Sequence, residues 1–398
     1  MPEQSDGYID QQWIKPWLDK LTQLRQTVHQ KPETAFQEHR TAKRIQDFLE
    51  EHGDVEVASE IGGAGIIATY SASQPGPTTM IRAELDGLPI QEDANQLSYR
   101  SETEGTMHAC GHDGHMTMVA GIGAVLSNLQ LQKGKVKLLF QPAEETGEGA
   151  LVMLEDEAFE EHIPDVIFGL HNLPGYPMRH VIIREGVFAS ASVGMKIHLE
   201  GATAHAAHPE EGRSPAQAVS QLITMIESLP QRATSLEQTA KATVIHTVLG
   251  EEAFGTSPGT ATVMATLRSY QNETLQEMQH RMEKEARLIA EAHGLACRVE
   301  WTEPFAATTC NAEAVETIRQ AAEVNELAIT KAETPFAWSE DFGQFTDRFD
   351  GAFFGLGSGV DQPPLHASDY DFPDELISTG VRLFLSIIAQ HNGLQERN

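Results

Sequence analysis

The chain is short of cysteine, of positive charge and of long apolar runs, and each shortage removes a class of protein. Cys110, Cys297 and Cys310 are its only cysteines. So odd and sparse a set does not make a disulfide framework, and it suits a reducing compartment. Lys and Arg together number 28 against 58 Asp and Glu, a net charge of −30. Nucleic acids and anionic membranes need clustered cations, so neither is expected as a partner. No stretch approaches the roughly 18 consecutive apolar residues of a membrane span. The opening MPEQSDGYIDQQWIKPW is polar and acidic, without the basic start and apolar core of a secretory signal. A soluble, cytoplasmic protein is expected.

What is present is enough for two domains, since 398 residues exceed one ordinary core. Trp17, Leu21, Leu24 and Val28 recur at helical spacing, Pro32 interrupts, and Ile45, Phe48 and Leu49 resume the pattern. After Gly53 the period changes. Ile66–Tyr70, Thr79–Leu85, Val136–Phe140, Val166–Leu170 and Ala352–Leu356 are short apolar runs of the kind that form buried strands, and Met116–Leu129 is helical in pattern. Alternating strands and helices predict an α/β fold with helices on both faces of the sheet. From Val193 to Trp301 the order is strand, helix, strand, strand, helix, strand. That βαββαβ order is ferredoxin-like. The expected plan is a discontinuous catalytic domain, 1–188 and 303–398, with an inserted domain at 189–302.

The densest chemistry lies in HACGHDGH, where His108, Cys110, His112 and His115 fall within eight residues. Elsewhere candidates are solitary. Glu144 and Glu145 follow the apolar run KVKLLFQPA, His171 follows VIFGL, and His366 sits in the loop PPLHAS. In open α/β sheets ligands collect beyond the carboxyl ends of strands, so these segments can converge. Thiolate, imidazole and carboxylate suit a divalent metal such as zinc or manganese. Of two adjacent carboxylates, one can bind metal while the other moves a proton. Read alone, Glu144 and Glu145 can equally be solvated residues of a loop, and Asp86 a turn residue before Gly87.

These residues carry a resemblance. The segments LRQTVHQKPETAFQE, RAELDGLPI, GTMHACGHDGHMTMVAG, LLFQPAEETGEGA, GLHNLPG, GATAHAAHP, WSEDFGQF and PLHASDYDF resemble, in order and over nearly the whole chain, the co-catalytic metallohydrolases of the aminoacylase and carboxypeptidase superfamily. The nearest likeness is to the amidohydrolase subfamily of hippurate and indoleacetyl-amino-acid hydrolases. The resemblance implies two divalent metals, zinc or manganese, on Cys110, His112, Glu145, His171 and His366. It implies Glu144 as general base toward a metal-activated water, and His205 as a histidine of the inserted domain that polarises the scissile carbonyl. It implies Asp86 as a supporting carboxylate and the inserted domain as a lid and homodimer interface. Cleavage of an N-acyl amino acid to a carboxylate and a free amino acid is the expected reaction. A dipeptidase or carboxypeptidase using the same centre, and a catalytically silent metal-binding protein, are its rivals.

Other residues carry less. Arg268 can fork onto a substrate carboxylate or make a surface ion pair. His108 and His115 read as structural histidines, His208 as lid surface, and Met107, Met116, Met118 and Cys297 as packing. The chain departs from the family at Gly255, where Asn is usual, Glu84 (Asp), Ala204 (Gly) and Glu210 (His). The departures leave the expected metal ligands intact and touch substrate recognition instead.

Overall fold

The computed structural model describes residues 9–53, 55–93 and 97–397. Residues 1–8, where the polar opening begins, lie outside them. The chain divides into two compact units. Unit 1 runs to Phe188 and resumes over Thr308–Pro335 and from Asp341 onward, while unit 2 is Ala189–Ala307 with Phe336–Glu340.

Unit 1 is built on an eight-stranded mixed sheet in the order Glu56–Ile61, Gly65–Ser71, Lys135–Gln141, Thr78–Glu84, Val166–Pro174, Gly351–Gly359, Val181–Ile183, Ile329–Lys331. Thr78–Glu84 runs parallel to both Lys135–Gln141 and Val166–Pro174, and Gly351–Gly359 is parallel to the latter. The carboxyl ends of four central strands therefore share one edge of the sheet. These strands are buried along nearly their whole length rather than on alternate residues, as a sheet covered on both faces requires. Val166–Asn172 and Gly351–Ser358 are buried at every residue.

Two groups of helices lie against this sheet. Leu18–Gln30, His39–His52, His112–Leu126, Ala312–Val324 and Ile377–Asn392 pack on one another, and the short helices Gly149–Glu155 and Gly343–Thr346 pair separately. The His112–Leu126 helix is buried at every residue, so its apolar character is all-round rather than a stripe. It opens four residues before the expected Met116, because Gly111 caps it in the left-handed region at φ 90°.

Unit 2 has a four-stranded antiparallel sheet in the order Ala240–Leu249, Thr260–Ser269, Ala191–Glu200, Ala296–Phe305. The helices Ala216–Ala233 and Asn272–Ala292 pack on each other and on strands of this sheet. This is the βαββαβ arrangement expected from the order of elements after Val193. Unit 2 also takes in Phe336–Glu340, far along the chain. Ser190 N–H donates to Trp338 O at 3.0 Å, and the Ser190 hydroxyl to Ala337 O at 2.8 Å.

Candidate metal centre

Three turns in unit 1 supply the centre. The first is Cys110-Gly111-His112, where the chain enters the buried helix. A side chain at Gly111 is excluded twice over. The backbone is left-handed, and an added Cβ would stand 2.3 Å from Asn172 Oδ1. The second is Pro142–Glu145, past the end of Lys135–Gln141. Here Ala143 is left-handed at φ 51°, a conformation that costs a non-glycine residue about 1–2 kcal/mol. The buried Glu38 carboxylate holds it, accepting from Ala143 N at 2.8 Å and Phe36 N at 3.0 Å. Burial, then the neighbouring Asp86 charge, raises the Glu38 pKa to about 7. The third turn carries His366, also left-handed at φ 64°. Its N–H donates to Ala109 O at 2.8 Å, which ties this loop to the Cys110 turn.

His171 is placed differently from expectation. It lies within the strand Val166–Pro174 rather than after it, because Gly355, Leu356 and Gly357 continue the parallel pairing past it. Its ring still reaches the centre, with Nε2 3.3 Å from Cys110 Sγ.

The six residues singled out for metal and base roles come together. Cys110, His112 and His171 form one set whose ligand atoms lie within 4.8 Å of one another; Cys110, Glu145 and His366 form a second, and His112, Glu144 and Glu145 a third. His112 Nε2 is 3.7 Å from Glu144 Oε2 and 4.0 Å from Glu145 Oε1, and His366 Nε2 is 3.7 Å from Glu145 Oε2. Cys110, His112, His171 and Glu144 are buried, and His366 is exposed.

Hydrogen bonds fix which ring nitrogen faces inward. His112 Nδ1 donates to Asp86 O at 2.9 Å, and His171 Nδ1 donates to Asn172 O at 2.8 Å. In the neutral tautomer both Nε2 lone pairs then face the cluster, as metal binding by imidazole requires. His112 Nε2 is buried with no hydrogen-bond partner. Burial disfavours charge on this ring, yet the Asp86 hydrogen bond and the Glu84, Asp86 and Glu145 charges prevail and raise its pKa to about 10. The surroundings thus call for positive charge at that nitrogen, which a cation supplies as well as a proton. Burial first, then the nearby His115, drives His171 well below the usual histidine range, so it stays neutral. The donor set and its electrostatics fit divalent metal.

Asp86 is fully buried and serves two members of the cluster. Its Oδ1 lies 3.4 Å from His112 Nδ1, and its Oδ2 accepts from Glu145 N at 3.0 Å. Glu84, one of the departures, bridges Arg82 and His115, with His115 Nδ1 2.8 Å from Glu84 Oε2. His108 makes no hydrogen bond through either ring nitrogen, and burial lowers its pKa to about 4. Two contributors went unnoticed in the sequence. Glu38 holds the Glu144 turn, and Asn172 bonds His115 Nε2 at 2.6 Å and Tyr370 OH at 2.6 Å. Asn172 directly follows a singled-out histidine, and Glu38 ends one of the matched segments; those were the available signals.

The remaining candidates belong to unit 2. His205 is exposed, on a two-residue strand paired with Thr256–Ser257, and its Nδ1 accepts from Ala207 N at 3.1 Å. Arg268 donates to Ser339 Oγ at 2.8 Å and Ala337 O at 3.2 Å. A Cβ at Gly255 would meet nothing within 4 Å.

The model of peptidase family M20/M25/M40 matches residues 80–390, a span that holds all three turns. The hippurate hydrolase of Campylobacter jejuni is 31% identical over 374 residues, covering 94% of this chain and 96% of that protein. The N-acetyl-L-cysteine deacetylase of Bacillus subtilis is 32% identical over 344 residues, covering 86% and 81%. Among solved structures, the Bacillus subtilis YxeP protein, described as a dinuclear metal binding peptidase from the M20 family, matches with a TM-score of 0.78 at 26% identity, covering 94% of this chain and 98% of that one. The chain belongs to peptidase family M20/M25/M40 and is a hydrolase that acts on amides.

Proposed function

We propose that the chain hydrolyses the amide bond of N-acyl amino acids or related conjugates, releasing a carboxylate and a free amino acid. The observation that carries this reading is the meeting of Cys110, His112, Glu145, His171 and His366 around a buried Glu144. The first five would hold two divalent ions, zinc or manganese. Such ions lower the pKa of water in the site and polarise the scissile carbonyl. Glu144 takes the attacking water's proton and delivers it to the departing nitrogen. Asp86 orients His112 and, through the Glu145 N–H, the turn that carries Glu144.

His205 is the residue we assign to the developing oxyanion. Because Nδ1 accepts from Ala207 N–H, the proton of the neutral ring resides on Nε2, which makes that nitrogen a donor. One such donor contributes about 3 kcal/mol in comparable sites. A homodimer joined through unit 2, in the cytoplasm, is the proposed assembly; none of the three cysteines is in a disulfide, which suits a reducing compartment. No helix among the described residues is long and apolar enough to cross a membrane.

The test is amine release from N-acetyl and N-benzoyl amino acids, with dipeptides as a parallel arm, on protein loaded with manganese or zinc and analysed for metal. Release from acyl amino acids that stops on chelation is expected. Cleavage of dipeptides alone would move the substrate class, and silence from fully loaded protein across the panel would overturn the reading. Mixing Glu144→Gln and His205→Ala subunits tests whether His205 acts across the dimer: recovered activity supports it, and none under proven exchange refutes it.

A further inference from the structure

The first helix, Leu18–Gln30, carries two charged residues on the face it buries. Arg25 and His29 are both 0% exposed, like Leu21 and Val28 beside them. A buried guanidinium is tolerated only when its charge is balanced, and Arg25 lies beside carboxylates from two segments far apart in sequence. Arg25 Nη1 lies 3.3 Å from Asp113 Oδ2 and 2.7 Å from Asp371 Oδ1, and its Nε is 2.6 Å from Asp374 Oδ1. Asp113 adjoins His112, and Asp371 and Asp374 end the loop that carries His366. Neighbouring groups hold the same acids. Gln26 Nε2 donates to Asp374 Oδ2 at 3.0 Å and Tyr99 OH to Asp371 Oδ2 at 2.7 Å, while His29 Nδ1 is 2.9 Å from Asp113 Oδ2. The Tyr99 ring lies 4.6 Å from the Arg25 guanidinium carbon.

We infer that Arg25 is a positioning residue for the metal centre. It touches none of the proposed ligands, and it sets the spacing between the segment holding Cys110 and His112 and the loop holding His366. The inference rests on the metal reading above. Its physical basis is that Cys110 and His366 meet in one ligand set, while the His366 loop reaches the Cys110 segment through the backbone hydrogen bond from His366 N to Ala109 O and the packing of Leu365 and Phe372. Arg25 adds a charged tie between the same two segments. A lysine has one ammonium in place of a planar fork and does not reproduce contacts to three separate carboxylates.

The experiment is calorimetric titration of metal-free protein with Mn²⁺, for wild type, Arg25→Met, Arg25→Lys, Asp371→Asn and Glu92→Gln. Glu92 is the control. It belongs to the same buried network, 3.4 Å from His29 Nε2, without joining two ligand-bearing segments. Arg25→Met should weaken one of two metal equivalents at least tenfold, Arg25→Lys should restore little, and Glu92→Gln should bind as wild type. Unchanged affinities in Arg25→Met overturn the inference, as does equal weakening in Glu92→Gln, which would mark a general loss of stability. If Arg25→Met does not fold, Asp371→Asn decides, with weakened binding of one equivalent supporting the role and unchanged binding refuting it. Wild-type protein that takes up no metal would instead refute the metal reading itself.

Discussion

Substituting alanine for Gly111 tests how tightly the centre is built. The backbone there has φ 90°, and holding an L-residue in the left-handed region costs about 1–2 kcal/mol. The new Cβ would stand 2.3 Å from Asn172 Oδ1, 3.0 Å from its Cγ and 3.1 Å from Tyr370 OH. Neither neighbour yields readily, since Asn172 bonds both His115 and Tyr370 and all three are buried. Forcing one methyl group into such packing costs a further 1–3 kcal/mol or about that. The expected loss is therefore about 3 kcal/mol, a large part of the roughly 5–15 kcal/mol by which proteins are stable. Because Gly111 lies between Cys110 and His112, the displacement also reaches the ligands. Urea unfolding of metal-free Gly111→Ala should show the lost stability, and chelator competition should show metal affinity at least tenfold weaker. Loss below about 1 kcal/mol together with wild-type metal affinity would refute the reasoning.

Asp86→Asn should weaken metal binding by about 10–100-fold, the usual effect of removing a carboxylate that supports a ligating histidine, with circular dichroism unchanged; wild-type affinity would contradict the role given to Asp86. His29 supplies a pH signature. Burial opposes its charge, but hydrogen bonds to Asp113 and Glu92 prevail and raise its pKa from 6.5 to about 9. A raised folded-state pKa stabilises fully below the unfolded value, and the gain disappears as pH rises through about 9, up to about 3 kcal/mol in all. His29→Gln should accordingly be less stable than wild type in urea at pH 6 and converge with it near pH 9.5, and a gap independent of pH would count against this pairing.

Much of this architecture was readable from periodicity and punctuation. The apolar runs bounded by Gly and Pro became central strands, and the order of elements from Val193 onward became the βαββαβ unit. Local pattern failed where the cause was distant. Glu56–Ile61 is an edge strand with mostly exposed or half-buried residues, so it carries no apolar run to mark it. The strand through His171 outlasts VIFGL because Gly351–Gly359 pairs with it. The Phe336–Glu340 segment joins unit 2 through contacts to Ser190 and Arg268, neither of them near it in sequence. The residues that meet in the centre stood out by chemical type, since thiolate, imidazole and carboxylate are the usual protein ligands of divalent metals. Their support did not. Arg25 and Asp113 are 88 residues apart, and Arg25 and Asp371 are 346 apart. The available sign was a charged pair, Arg25 and His29, on the apolar stripe of the first helix.

The central claim is that Glu144 moves protons while its neighbours hold metal. The geometry makes this a sharp question, because Glu144 also lies within ligand distance of His112 and Glu145. Metal analysis beside turnover of Glu144→Gln answers it most directly. The account predicts two metal equivalents per subunit, as in wild type, with hydrolysis of N-acyl amino acids abolished. Loss of a metal equivalent in that variant, or turnover near the wild-type rate, would contradict it.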